Sequence, residues 1–444
     1  RVGGDEFVVV VSDLSSTDPL ADFAGIAERL HEAVETPFPL DDAGSRSIGM
    51  SMGVALFPRD GATGRELLRT ADAALYRAKR HKGGPRWWDS SVTGAAIGAR
   101  AGEPASTRGV VGELVMFMQP IVDLRSGRVS QVEALARLRT PSGELKTPDT
   151  FLPHYSRDQL VDVFKQGLDQ ALSWASRWDS AGVALNVSVN VPPELLNDPN
   201  SAEWVTSTLA RHGVDPQRLS LEVLETQEIE LGASDTTVGE LVRLGVKMHL
   251  DDLSSGFSTL KRLTDIPFDV IKIDRRIFDQ AHKRPLEVLT VLAALTKLGA
   301  DSGYGTVAEG IEDRERLEVS AVLGARAGQG FLFARPMPPE EVGPWLEQFS
   351  MPYREGELTT ALGALAYHWS HGGGEWPDHL AGRRCPLTAY LAMSGEGDDV
   401  LSAHQLLHQK PAATKSARAL ANATLLARLV ERVQQTEQAG AEVS

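Results

Sequence analysis

The stretch 247–274, KMHLDDLSSGFSTLKRLTDIPFDVIKID, decides how the rest of the chain is read. Two short apolar runs each close on charge. Val246–Leu250 ends in Asp251 and Asp252, and the run from Asp269 carries Lys272 and stops at Asp274. Between them LSSGFS, with a turn signal at Gly256, leads into an amphipathic segment. The pattern predicts strand, loop, helix, strand, with polar groups at the strand ends. Neighbouring parallel strands of a barrel bring such ends to one mouth. Two adjacent carboxylates there repel each other unless a cation sits between them.

Working outward, residues 113–349 alternate strand-like and helix-like segments. The strand candidates are LVMFMQPIVDL, VSQVEALARL, VALNVSVNV, LSLEVLE, VKMHLDD, DVIKID, GTVAEGI and GQGFLFARP. Eight such runs, mostly separated by helical stretches, predict an α/β fold of the (β/α)8 barrel type. Only RSGR joins the first two runs, too short for a helical crossover, so the first strand is expected to be antiparallel. Residues 1–89 read as a partial α/β domain, in which VVVVS is a buried strand, SIGMSMGVALF another strand and ADAALYRAKRHK an amphipathic helix. Residues 90–112 are a Gly-, Ala- and Ser-rich linker. Residues 350–444 form a small helical appendix.

A chain of 444 residues exceeds one ordinary domain. Its formal charge of −15 argues against polymeric nucleic acid as a partner, though not against a small anion held by metal ions. One cysteine, Cys385, precludes an intrachain disulfide and suits a reducing, cytoplasmic compartment. No run has the length of a membrane span and no signal peptide opens the chain. RVGGDEFVVV reads as the middle of a domain, so an upstream sensor or membrane anchor is left open.

The last polar residues of successive barrel strands are Glu133, Asn190, Glu222, Asp251 with Asp252, Lys272, Glu309 and Gln329. In a barrel these converge on the C-terminal mouth, where active sites of this architecture lie. The donors are oxygen atoms, with no Cys or His among them, which favours Mg2+ or Mn2+. So many carboxylates do not all stay ionised without a cation. Hydrolysis of a phosphodiester at a two-metal site uses such an arrangement. Lys272 is placed to contact the attacking water or the charge growing on phosphate, and Arg137 to clamp a phosphate oxygen.

Gln119-Pro120, VEALARL, DDLSSGFSTL, IKID, VAEGIE and GQGFLFARPMP together resemble the EAL family of cyclic di-GMP phosphodiesterases. The resemblance spans about residues 113–349. It implies a barrel that linearises cyclic di-GMP to pGpG with magnesium or manganese. By position, Glu133, Asn190, Glu222 and Asp251 resemble ligands of a first metal, and Asp252 the ligand of a second, shared with Asp251. Glu309 is similar to a further acid of the metal site, and Lys272 to the lysine that positions water. Gln119, Arg137 and Gln329 resemble substrate-side residues. Glu225 matches a glutamate that steadies the loop LSSGFS, which favours turnover over a non-catalytic receptor that binds cyclic di-GMP and signals through partners. Three positions depart from the family pattern, Leu224, Leu253 and Pro192, and none removes a ligand.

Residues 1–89 resemble the C-terminal half of a GGDEF, or diguanylate cyclase, domain. Gly3, Gly4, Asp5, Glu6 and Phe7 match its signature, SMGVALFPRDG and ADAALYRAK also match, and Lys79 resembles a phosphate-contacting lysine. The first strand of that fold and its metal-binding Asp would precede residue 1, so this chain is not expected to make a cyclase by itself. In an intact parent the domain implies either a cyclase or a GTP-binding regulator. The resemblance also implies a homodimer.

Several features lie outside these motifs. His368 and His371 are three apart and His404 and His408 four apart, which puts each pair on one helix face. With His379 and Cys385 they have the chemistry to bind a transition metal, but their spacing matches no established pattern, and packing or a dimer contact is favoured. Trp174, Trp178 and Trp204 are expected in the core or at an interface. Trp87 and Trp88 are expected to pack the end of the first domain. A glycosidase built on paired barrel carboxylates is disfavoured by the Asp-Asp doublet and the IKID lysine.

Overall fold

The computed structural model describes residues 7–12, 23, 25–27, 29–30, 33, 38–40, 44–46, 50–61, 63–64, 67–68, 70–71, 74–75, 86–90, 112–152, 155, 157–224, 231–253, 263, 266–354, 356–371, 385–408 and 414–441. Gly3, Gly4, Asp5, Glu6, Lys79, Glu225, Gly256, His379 and residues 91–111 of the expected linker lie outside them. The chain divides into two compact units, residues 1–111 with 149–155, and residues 112–148 with 156–444.

In the first unit, β1 (Phe38–Leu40) pairs antiparallel with β2 (Gly44–Arg46). β3 (Met50–Val54) pairs in parallel with β4 (Arg86–Ser90), in register from Met50 opposite Arg86 to Val54 opposite Ser90. Trp87 and Trp88 therefore lie in a strand. The expected strand at VVVVS does not form. Residues 7–12 carry no strand assignment, and Phe7, Val8, Val9 and Val10 are all exposed. A strand needs a partner for its backbone groups, and among the described residues none is paired with this segment.

The second unit is built on a sheet of nine strands: β5 (Glu113–Asp123), β6 (Val129–Arg139), β7 (Leu145–Lys146), β8 (Asn186–Asn190), β9 (Leu219–Leu224), β10 (Lys247–Leu253), β11 (Val270–Ile273), β12 (Gly305–Ala308) and β13 (Ala327–Gly328). Their order is β5-β13-β12-β11-β10-β9-β8-β6-β7, and β5 also pairs with β6, which closes eight of them into a barrel. β5 is antiparallel to both its neighbours, as the short RSGR connection requires. From β6 through β8 to β13 the barrel pairings are parallel. The strands are apolar because both faces are covered, by barrel interior on one side and helices on the other. α1 (Arg157–Ser180), α2 (Ser201–His212) and α3 (Leu231–Arg243) follow β7, β8 and β9. α4 (Pro285–Ser302) and α5 (Arg314–Val322) follow β11 and β12. Trp178 is buried and Trp174 and Trp204 pack partly buried on the same core, as expected of apolar helix faces.

One strand is far shorter than its sequence implies. The run GQGFLFARP leaves the ladder after Gly328. Phe333 and Ala334 donate backbone N–H groups to the Gly330 carbonyl, which makes a turn. Gly330 is pressed against the backbone of Ile311, where a Cβ would lie 2.1 Å from the Ile311 carbonyl oxygen. Gln329 is thus held at the strand exit by Gln329 N–H to Ala308 and Ile311 N–H to Gln329.

The C-terminal helices α6 (Ala361–His371), α7 (Pro386–Met393), α8 (Asp398–His408) and α9 (Lys415–Ala441) belong to the same compact unit as the barrel. Leu362, Leu365, Leu425 and Leu429 share one core with Phe278, Leu289 and Leu292 from the barrel's helical side. A buried carboxylate pins the junction. Glu318 on α5 accepts from the backbone N–H groups of Thr359 and Thr360, from both threonine hydroxyls, and from Arg314 Nε at 2.9 Å. An acceptor at the N-terminus of α6 satisfies donors that the helix itself leaves open. Gly363 makes room for it, since a Cβ there would meet Glu318 Oε2 at 2.3 Å. Glu318→Ala is expected to cost on the order of 3 kcal/mol, since it strands buried donors and one partner of an ion pair. Denaturant unfolding of the chain reads this directly.

Candidate active site

Polar side chains on the barrel strands, or just past their ends, meet at one place. Register sets the spacing: Gln119 on β5 stands opposite Glu133 on β6, and Asn190 on β8 stands opposite Glu222 on β9. On β10, Lys247, His249 and Asp251 alternate onto one face. His249 stands opposite Glu222, and Asp251 opposite Leu224.

Lys272 on β11 is the centre. It is 1% exposed, and its ammonium lies 2.7 Å from Glu222, 2.7 Å from Glu309, 3.2 Å from Asp251 and 3.3 Å from Glu133. Around this hub Asn190 Nδ2 donates to Glu133 Oε1 at 2.9 Å, and Gln329 Nε2 donates to Glu133 Oε2 at 2.7 Å. Gln329 also donates to Gln119 Oε1 at 3.0 Å, and Gln119 donates to the Ala334 carbonyl at 3.1 Å.

Asp251 and Asp252 are adjacent on a strand, so regular geometry would send their side chains to opposite faces. Two irregularities bring them together. The β10–β11 register shifts between Leu250 and Leu253. Asp252 has φ of 58°, the one positive-φ residue other than glycine among the described residues. Aspartate tolerates that region better than most side chains. As a result carboxylate oxygens of Asp251, Asp252 and Glu309 lie within 4.8 Å of one another.

The electrostatics of this group are unbalanced. Burial opposes the charge on Lys272, but Asp251, Glu133, Glu222 and Glu309 together outweigh it and hold its pKa well above the ordinary value. Burial likewise opposes ionisation of Glu133, and is outweighed by Lys272, Gln329 and Asn190, so its pKa falls. Glu222 goes the other way. Burial, reinforced by the charge of Glu133, lifts it to about 8, and burial lifts Glu309 well above its usual range. Asp252 rises to about 6 through burial and the charge of Asp251. One ammonium does not neutralise this many acids.

The donors fit a divalent cation. All are oxygen atoms, and Glu222 Oε1 and Asp251 Oδ1 are buried without a hydrogen-bond partner among the described residues, although Asp251 Oδ1 pairs electrostatically with Lys272. Buried acceptors left open in this way are what a hard cation satisfies.

A pH signature follows from Glu222. Its folded pKa of about 8 lies above the ordinary 4.5, so between these values the folded protein holds a proton that the unfolded chain has released. Without metal, stability conferred by this group therefore falls as pH rises through that window. A cation that binds the ionised form offsets the loss. Adding Mg2+ is expected to raise the unfolding temperature more at pH 8 than at pH 5.5, and thermal unfolding at the two pH values checks it.

One expected site residue stands apart from the hub. Arg137, four residues beyond Glu133 on β6, donates from Nη1 to the Ala136 carbonyl and lies 5.8 Å from the Phe117 ring centroid. Glu225 lies outside the described residues. His249, which no sequence motif marks, joins the site: it is 1% exposed, with Nδ1 3.7 Å from Glu222 Oε1. Burial and the neighbouring Lys272 depress its pKa to about 3, so it stays neutral. Its alternation with Lys247 and Asp251 was the available signal.

The family model for the EAL domain matches residues 107–336, and that for "Diguanylate cyclase, GGDEF domain" matches residues 1–85. The chain is 33% identical over 353 residues to "Bifunctional diguanylate cyclase/cyclic di-GMP phosphodiesterase MucR" of Pseudomonas aeruginosa, covering 77% of this chain and 50% of that protein. It is 29% identical to "Signaling protein YkoW" of Bacillus subtilis, covering 79% of this chain and 43% of that protein. The chain thus spans about half, or less, of the length of these relatives. Among solved structures, "PaMucR Phosphodiesterase, c-di-GMP complex" is 32% identical, with a TM-score of 0.49, over 52% of this chain and 94% of that one.

Proposed function

Because the chain belongs to the EAL domain family, with a GGDEF domain match ahead of it, we propose that its barrel hydrolyses cyclic di-GMP to linear pGpG. The observation that carries this is the single buried ammonium of Lys272 ringed by Glu133, Glu222, Asp251 and Glu309. In this reading Glu133, Asn190, Glu222, Asp251, Asp252 and Glu309 hold two Mg2+ or Mn2+ ions. Such ions supply Lewis acidity to the phosphoryl oxygens and lower the pKa of bound water.

The protein's own groups divide the remaining work. Ringed by four carboxylates, Lys272 is favoured in its charged form. It donates hydrogen bonds, orienting the attacking water and opposing the negative charge that grows on the phosphoryl group. The proton leaving that water goes to a carboxylate. Glu309 is the most accessible of the four bonded to Lys272, with 19% of its side chain exposed against 11% for Asp251, 6% for Glu133 and none for Glu222. Gln119 and Gln329 fix the position of Glu133, and Arg137 contacts a substrate phosphate. Glu225 steadies the loop that follows β10.

The N-terminal unit is proposed to act as a GTP-binding regulator or a cyclase, and the barrel to work as a homodimer in the cytoplasm. Among the described residues no helix is long and apolar enough to cross a membrane. The specific rival is a receptor that binds cyclic di-GMP without turning it over. Assaying the chain with Mg2+ beside Glu133→Gln separates the two. Production of pGpG by the native chain and its loss in the variant support hydrolysis, whereas binding without product supports the receptor.

A further inference from the structure

We propose that the C-terminal helices carry a second metal site, unlike the barrel's in chemistry: a zinc ion bound by Cys385, His404 and His408. The sulfur and one ring nitrogen from each histidine lie within 4.8 Å of one another. Cys385 stands immediately before α7, while His404 and His408 are one turn apart on α8 and present their rings on the same face. This converts a pattern of isolated residues into a convergent donor set.

The two imidazoles are arranged as ligands rather than as a stacked pair. Their planes are perpendicular, and the Nε2 atoms are 3.2 Å apart. Two nitrogens bound to one tetrahedral zinc at about 2.0–2.1 Å are separated by about 3.3 Å. His404 is 5% exposed, and the Thr388 hydroxyl lies 2.9 Å from the same Nε2, a contact that zinc binding at that nitrogen would replace.

The donor types select the metal class. Two imidazoles and a thiolate suit Zn2+, whereas the oxygen-only ring in the barrel suits Mg2+ or Mn2+. Cys385 and His404 are buried and His408 is exposed, so the cluster has a closed inner side and a route for entry. The fourth tetrahedral position would fall to water. Holding α7 to α8, the ion would brace the helices that pack against the barrel's own helices.

Because the chain has one cysteine, a thiolate-to-Co2+ charge-transfer band reports Cys385 alone. The chelator-stripped chain, kept in excess Mg2+ to fill the oxygen sites, is titrated with Co2+ and then with Zn2+. The band is expected to appear, to saturate near a single equivalent and to be abolished by Zn2+. Cys385→Ser should remove it. His408→Gln, at an exposed position, should keep the native circular dichroism and weaken Co2+ binding by at least about tenfold. Absence of the band in the folded chain overturns the proposal. So does a band of unchanged affinity in His408→Gln or in the His404→Ala, His408→Gln double variant.

Discussion

Lys272→Met is expected to lower turnover by about 10²- to 10³-fold, the loss typical when a preorganised donor to a developing anion is removed. The side chain is 1% exposed and touches four carboxylates, so no water takes its place without rearrangement. Substrate should still bind, because Gln119, Arg137 and the acids proposed to hold metal remain, and the effect should fall on kcat more than on KM. A second signature concerns stability. Without metal, the variant leaves the acids unpaired and should lose about 3–5 kcal/mol, the scale for stranding one side of a buried ion pair. Mg2+ should recover much of that stability and none of the turnover. Steady-state kinetics together with unfolding curves, with and without Mg2+, check both halves. A variant that turns over within a few-fold of the native chain would remove Lys272 from its assigned role.

Asp251→Asn separates metal binding from folding in the opposite sense. Asp251 joins the Asp252 and Glu309 cluster and pairs with Lys272, so it is proposed as a ligand common to both ions. Loss of its charge should raise the half-saturating Mg2+ concentration by more than about 100-fold, the upper range for losing an outer partner alone, and activity should fall with it. The metal-free protein should respond differently. The charge of Asp251 contributes to lifting both Glu222 and Asp252. Its removal lowers those pKa values, so less stability is lost as pH rises towards 8. The metal-free variant should then be at least as stable as the native chain at pH 8 while nearly inactive. Metal-dependent activity and thermal unfolding at that pH read the two effects. An unchanged metal requirement would count against Asp251 as a ligand.

Much of the barrel is legible in the sequence because two signals coincide there. Apolar runs set the strands, and the polar residue closing each run sets what the mouth receives. The RSGR turn likewise announces the antiparallel β5. What is harder to read depends on partners distant in sequence or on local geometry. His249 sits inside an apolar strand and looks like a core residue until Glu222 is found opposite it. Glu318 is one acid in the helical run RERLEVSAV, and its partners Thr359 and Thr360 are some forty residues away. GQGFLFARP has strand-like composition, yet Gly330 turns it out of the ladder. The meeting of Asp251 and Asp252 needs a left-handed residue and a register shift, neither of which follows from residue type. The sequence offers His368, His371, His379, His404, His408 and Cys385 as possible metal ligands, and the fold brings Cys385, His404 and His408 together.

The most direct measurement is incubation of the chain with cyclic di-GMP and Mg2+ in ¹⁸O-labelled water, followed by mass analysis of the nucleotide. Linear pGpG carrying a single ¹⁸O on its terminal phosphate is expected, formed by water attacking phosphorus and expelling one ribose oxygen. Recovery of intact, unlabelled cyclic di-GMP from a chain that binds it would contradict the account.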